Sequence, residues 1–584
     1  MNKLAVLMFA AAAALMLASC DAGNTGGAAS VAADYVFTNG QVYTVNENQP
    51  RAEAVAVKGT DIVYVGDDQG TEKFIGDNTK VTDLESKTML PGFIDTHHHG
   101  IVVMATAAGL MMATPPDGVG DKAKMLQAVA EWLAAHPDGP FFSFGGSFEG
   151  LVDITRHDID RIVADQPFVM VSGTGHGGWA NTRALEGIGV VKGEPDPIDH
   201  YEREADGTPT GYIGSSAAVF YIVGKLGLFK PEYFAANAEG VLAGSSANGL
   251  TATLQAGYIQ GTEDGVFPMI EQLEKAGKLP VRISSVALQA QRPIHIEHGL
   301  ANLDKFVPRY NSELFRVDAM KIHGDGDTGG YTIGMLEPFS DAESYDAYDP
   351  SKPGLISFPD TDQLVEFMIE SLERGASHIH MHAIGDATVR QALDAFERVR
   401  AAGYTDVRLS TGHTNLIHPD DLPRFAELNV MADFHAQYAV PSELGYSRFG
   451  EERIIERGFR TRSLWDSGGI VTIGSDFPAG EENPFLSIAV IISRREPGKS
   501  EVLPPADEAL SIEQAIQAYT LNGARLLGME DIIGSIEVGK RADLIVVDRN
   551  ILEATPEEIV ESKVLTTMMN GKVRHDVAFG LLDK

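Results

Sequence analysis

Thr88-Met89-Leu90-Pro91-Gly92-Phe93-Ile94-Asp95-Thr96-His97-His98-His99 is an apolar run that closes on three histidines. Strand side chains alternate faces, so His97 and His99 project to one side and His98 to the other. Two imidazoles two residues apart at the mouth of a buried strand can bind one metal ion together, as Zn²⁺ asks of nitrogen ligands. A surface or tag-like histidine cluster is the plainer alternative. This triplet, however, is internal, follows a strand-like run and has Asp95 two residues before its first histidine.

Working outward, the segments that follow alternate between strand-like and helical text, which implies parallel βαβ units. Candidate strands lie at 89–99, 251–255, 281–288, 317–324, 378–384, 407–413, 430–435 and 470–476, with helices at 267–276, 361–374, 387–402, 419–428 and 512–527. Eight strands in that order predict an α/β fold, a (β/α)8 TIM-type barrel over 89–533. The interval 101–248 is too long for one crossover and reads as an inserted, mainly helical subdomain over the barrel mouth. Short β-runs with turn signals fill 35–88 and return at 534–584. Neither part can cover its own core, so together they predict a small split β-sandwich.

At 584 residues the chain is long enough for more than one domain. Its formal charge of −36 argues against a nucleic-acid partner, whose phosphates it would repel. Residues 1–20 read as a signal peptide: Lys3 gives the positive start, Leu4 to Leu17 the short apolar stretch. Leu17-Ala18-Ser19-Cys20 resembles a bacterial lipobox, and Cys20, the only cysteine, is the expected lipidation site. Residues 21–34, rich in Gly, Ala and Ser, read as a flexible tether. The expectation is a lipid-anchored protein of the cell envelope facing the periplasm or exterior. Asp21 resembles a signal for retention in the inner membrane.

Further metal-compatible side chains close later strands. His382 ends His378-Ile-His380-Met-His382, His413 ends Val407-Arg-Leu-Ser-Thr-Gly-His413, and Asp476 ends Ile470-Val-Thr-Ile-Gly-Ser-Asp476. In a parallel barrel the strand ends converge on one open face, so these residues can surround one site. Any one of them alone would be read as a cap or turn. His380 reads as a packed core residue or a support for a ligand. Lys321, inside the fourth strand, is costly to bury unless it pairs with an acid or is chemically altered. His323 lies on the same face and is a rival ligand.

With these residues in place the chain resembles the amidohydrolase superfamily, and within it the family 3 branch of YtcJ-like metal-dependent hydrolases. The stretches that carry the resemblance are Pro91-Gly-Phe-Ile-Asp-Thr-His97-His-His99, Gly175-His176-Gly-Gly-Trp179-Ala-Asn181, Asp206-Gly-Thr-Pro-Thr-Gly211 and Lys321-Ile-His323-Gly-Asp325-Gly326. They continue with His382-Ala-Ile-Gly-Asp386, Gly474-Ser-Asp476-Phe-Pro478, Asn483-Pro484 and Gly534-Ser-Ile-Glu-Val-Gly-Lys-Arg-Ala-Asp543. The resemblance runs from Tyr35 to the C-terminus.

It implies that His97 and His99 bind one metal and His382 and His413 a second, with a carbamylated Lys321 bridging them. Asp476 would touch the first metal and act as the catalytic proton carrier. One or two Zn²⁺ ions, or another divalent metal, are the implied cofactor. His176, Trp179, His323 and Asp325 are the implied substrate contacts, although a surface turn is the alternative for His176. The implied reaction is hydrolysis of a C–N bond in a small amide, N-acyl or cyclic amide, with ester or lactone hydrolysis the rival chemistry. A non-catalytic solute-binding lipoprotein is the rival of another class, and a homo-oligomer is left open. Two positions depart from the family pattern where loops are expected to shape the pocket. They are Ser215, where relatives often carry Glu, and Asp433-Phe-His435-Ala, where they often carry Ser-x-Gln-Pro.

Overall fold

Gly92 divides the histidine-bearing run in two. In the computed structural model Thr88–Pro91 is a strand of a β-sandwich, whereas Phe93–His98 is the first barrel strand, β1. A Cβ at Gly92 would lie 2.2 Å from the Thr251 side chain, so the crossing from one sheet to the other needs glycine. The single strand expected over 89–99 is therefore two. The structure describes residues 32–582 apart from 116–118, 148–151, 199, 330, 343–353, 439–442 and 497. The signal segment, Cys20, Asp21 and most of the tether lie outside the described residues.

Eight parallel strands follow one another around the barrel in chain order. After β1 come β2 (Leu250–Gln255), β3 (Arg282–Ala290), β4 (Phe315–His323) and β5 (His378–Ala383). β6 (Arg408–His413), β7 (Val430–Phe434) and β8 (Ile470–Ile473) complete the set. The ends of β8 and β1 meet through a parallel bridge between His98 and Phe477. Asp476 N–H donates to the His97 carbonyl at 2.8 Å, and His99 N–H to that of Phe477 at 2.9 Å. Gly474 permits this approach, since a Cβ there would lie 2.7 Å from His97 N. β8 thus ends earlier than its sequence suggests, and Asp476 stands in the loop beyond it.

The barrel helices form for ordinary reasons. Thr361–Glu373 starts where the Asp360 carboxylate accepts from the Asp362 and Gln363 amides. Asp386–Ala401 buries Val389, Ala392, Leu393, Phe396 and Val399 along one face and carries Arg398 and Arg400 at its negative end.

The sandwich is composite. A four-stranded sheet comes from the N-terminal part, and a six-stranded sheet mixes strands from both ends of the chain. Thr88–Pro91 pairs antiparallel with Leu544–Val547, and Phe37, Val57, Met89, Leu544 and Met568 share one core. Buried Arg282 on β3 reaches Asp543 at 2.9 Å, fastening the barrel to this second domain.

The interval 101–248 is mainly helical, as expected, but it also holds a sheet that the sequence reading lacks. Its helices pack around a six-stranded sheet built of strands three to five residues long. Such strands are too short to display a two-residue period. No described helix is long and apolar enough to cross a membrane.

Candidate functional site

His97, His99, Lys321, His382, His413 and Asp476 line one cavity with about 580 Å³ of atom-free space at the C-terminal mouth of the barrel. His176 and His323 line it too. Four strand ends and one loop therefore deliver the expected set to a single place. His98 points away, as alternation requires. Its Nε2 lies 2.8 Å from Glu482 and its Nδ1 3.0 Å from the Gln255 amide, which anchors β1 from behind. His413 and Asp476 both adopt left-handed backbone, φ 69° and 56°, uncommon outside glycine and typical of constrained functional positions.

The Asp476 carboxylate joins the first pair: its Oδ1 is 3.3 Å from His99 Nε2 and 3.6 Å from His97 Nε2. The three offer one ligand atom each, all within 4.8 Å of one another. The His382 and His413 rings lie 4.2 Å apart on the other side. His382 Nδ1 lies 2.8 Å from Asp325 Oδ1. A carboxylate accepts, so Nδ1 carries the hydrogen and Nε2 keeps its lone pair. That Nε2 is buried and makes no hydrogen bond, which suits a metal ligand.

Burial sets the electrostatics. It holds His97, His323 and His413 well below the usual imidazole range and His382 at about 4, so their lone pairs are available at neutral pH. Burial also lowers Lys321 to about 7, against the opposing pull of Asp476 and Asp433. For Asp476 burial works upward, but the His99 hydrogen bond and the charges of His435 and Lys321 outweigh it and leave the carboxyl at about 2. Neutral imidazoles, a carboxylate and an amine that is partly neutral form a donor set fit for a Zn²⁺-class ion.

Three expectations need correction. Trp179 does not border the cavity: it is fully buried in the core of the insertion, against Met125, Val129, Ile159 and Phe168. The strand Gly178–Ala180 that carries it faces inward. Asp325 is no substrate contact either. Its buried carboxylate orients His382 and accepts from the amides of Gly334, Ile384 and Gly385 at 3.0–3.2 Å. The Lys321–Asp325 and His382–Asp386 motifs thus interlock. Neither Ser215 nor Asp433 itself lines the pocket. Ser215 caps the helix Ser216–Lys225, and Asp433 lies inside β7, fully buried.

Asp433 and His435 are the residues that strand-end reasoning missed, whereas His380 supports a candidate ligand, one of the two readings its sequence position allows. Asp433 Oδ2 lies 3.4 Å from His97 Nδ1, and the His435 ring stacks 4.1 Å from His413. His97, His413 and His435, like His97, His380 and Asp433, form further triplets with convergent ligand atoms. His380 Nε2 meets His97 Nδ1 at 3.0 Å, and its Nδ1 meets Ser410 Oγ at 2.7 Å. Ser410 Oγ in turn lies 2.7 Å from His378 Nε2, so a buried polar chain descends from the site into the barrel. Two-residue spacing along β5 is the signal behind the reading of His380, since His378, His380 and His382 share a face.

A parallel eight-stranded barrel that gathers neutral imidazoles, a lysine and a carboxylate at its C-terminal mouth has the make-up of a metal-dependent hydrolase. The amidohydrolase family model matches residues 80–575, and the chain belongs to that family. It is 25% identical over 555 residues to an N-substituted formamide deformylase of Arthrobacter pascens, covering 93% of this chain and 98% of the relative. It is 25% identical over 557 residues to YtcJ of Bacillus subtilis, covering 93% and 99%. An uncharacterized metal-dependent hydrolase from Pyrococcus horikoshii shares the fold, with a TM-score of 0.69 at 21% identity over 89% of this chain and 99% of the other.

Proposed function

We propose that this protein hydrolyses a C–N bond in a small amide, N-acyl or cyclic amide, with Zn²⁺ as its metal. The observation that carries the reading is the convergence of His97, His99, Lys321, His382, His413 and Asp476 on one cavity. When bound, the metal supplies a Lewis acid and lowers the pKa of water towards about 7. Asp476, ionised at neutral pH, accepts the proton of the attacking water and returns it to the departing nitrogen. Asp325 holds His382 in the tautomer that exposes Nε2. His176 and His323, at the cavity wall, orient the substrate carbonyl. The name of the Arthrobacter relative supports a formamide-type bond within this class.

The test is turnover by purified, zinc-loaded protein of a panel of aryl amides, N-acyl amines, cyclic amides, esters and lactones. Amide cleavage that chelation abolishes and Zn²⁺ restores is the expected result, with about one to two ions per chain by elemental analysis. Cleavage of esters and lactones alone would replace the reading with its rival. Active protein without bound metal would overturn it.

We also propose that Cys20 carries a lipid that holds the enzyme in the cell envelope. The support is the Leu17-Ala18-Ser19-Cys20 element and the Gly/Ala/Ser-rich stretch that follows. Mass spectrometry of the mature N-terminus checks it: an unprocessed Met1, or a Cys20→Ser variant that fractionates with membranes as before, would refute it.

A further inference from the structure

Resting on that reading, the second half of the cavity indicates which amides the site takes. The ionisable groups crowd at its metal-binding end. Among the described lining residues, the only Lys, Arg, Asp or Glu side chains are Lys321 and Asp476, and both belong to the convergent set. The remaining wall carries apolar side chains from five separate elements, interrupted by the uncharged polar residues Thr174, Ser216 and Gln289. Val102 sits on the helix after β1, Phe144 on a strand of the insertion, and Phe220 on the insertion helix Ser216–Lys225. Tyr258 and Pro478 come from the loops after β2 and β8. The Tyr258 hydroxyl is tied to the Ala287 carbonyl, leaving its ring as the face available to a ligand. Phe220 stands beside the loop that carries His176, since a Cβ on Gly175 would fall 3.6 Å from the ring.

A carboxylate or phosphate on the substrate, away from the scissile bond, would find no guanidinium or ammonium among the described residues of this wall other than Lys321 of the convergent set. Thr174, Ser216 and Gln289 offer neutral hydrogen bonds only, and desolvating an anion without a cationic partner is unfavourable. The −36 formal charge of the chain adds a repulsive field outside the cavity. An uncharged alkyl or aryl group, by contrast, loses water to Val102, Phe144, Phe220 and Tyr258 at no electrostatic cost.

We propose that the site selects neutral amides with an apolar alkyl or aryl substituent and rejects those bearing an anionic group, with Phe144 and Phe220 of the insertion as the determinants. The experiment uses a matched pair of similar shape, N-(4-isopropylbenzyl)acetamide and N-(4-carboxybenzyl)acetamide. Binding to the zinc-loaded full chain is measured by calorimetry and cleavage by product formation. The isopropyl compound should bind at least about 30-fold more tightly. Phe220→Arg, with metal content unchanged, should shift that ratio at least about tenfold towards the carboxylate, whereas Phe220→Leu should leave it close to the parent value. Equal binding of the pair, tighter binding of the carboxylate, binding of neither, or an unaltered ratio in Phe220→Arg would overturn the proposal. Preferential binding of the isopropyl compound without cleavage of either would sustain the substrate class and count against C–N hydrolysis. Equal binding with cleavage of both would do the reverse.

Discussion

Lys321 Nζ lies 2.9 Å from His97 Nε2, both side chains fully buried, although the two residues are 224 positions apart in the chain. β4 and β1 stand on different sides of the barrel, and only their C-terminal ends bring the amine and the imidazole together. An ammonium would be expensive here, and burial lowers the Lys321 pKa to about 7, so much of the amine is neutral at physiological pH. A neutral amine can add to carbon dioxide: its lone pair forms the N–C bond, one proton leaves, and an anionic carbamate replaces a cation.

Lys321 should therefore matter to metal content and to rate together. Lys321→Ala is expected to lose most bound metal and at least about 100-fold in kcat/KM. Lys321→Glu should retain part of the metal because a carboxylate partly replaces the carbamate. Metal analysis of the three proteins decides the matter. An alanine variant with full metal would remove Lys321 from the site.

Asp476→Asn keeps the shape and one acceptor oxygen but is far less basic. It should fold and retain most metal while kcat falls by about 100-fold or more, the usual contribution of a general base. Near-normal kcat with full metal would reduce Asp476 to a cap on the end of β8.

Asp325→Asn tests orientation rather than chemistry. Asp325 Oδ1 accepts from His382 Nδ1, 2.8 Å away. An amide in its place can present N–H instead and favour the other tautomer. Metal affinity should drop by about 10- to 100-fold, as for other partners of ligating histidines. Competition with a chelator of known affinity measures the loss, and unaltered affinity would contradict the assignment.

Asp318 supplies a stability test remote from the site. Burial alone would raise its pKa, but Arg316 and Arg408, with the Ser377 hydroxyl, overcome that and hold it at about 2 against 3.8 for the free group. A depressed carboxylate contributes stability that is complete above the unfolded value and lost as pH falls through the folded one. The contribution is of order 2 kcal/mol at pH 7. Asp318→Asn should thus lower the unfolding midpoint at pH 7, and the gap to the parent should narrow from pH 5 to pH 2. A gap that stays constant with pH would exclude the ion pairs as its source.

The sequence by itself determined the fold class and the metal end of the cavity. Alternation of strand and helix is a local signal repeated eight times, and His97, His99, His382 and His413 each close or nearly close a strand where local pattern can be read. What tertiary structure decided were the matters set by contacts between distant segments. Trp179 stands in a motif whose resemblance implies a substrate contact, yet the sheet of the insertion buries it. Asp325 stands in a motif full of site residues, and its role is fixed by where His382 falls across the strand pair. Asp433 and His435 fall within the strand expected at 430–435, but nothing local shows which residues they meet. Their approach to His97 and His413 depends on the closure of the barrel, in which Gly474 lets β8 settle against β1. Periodicity records which face a side chain takes, but not which neighbour occupies the space in front of it.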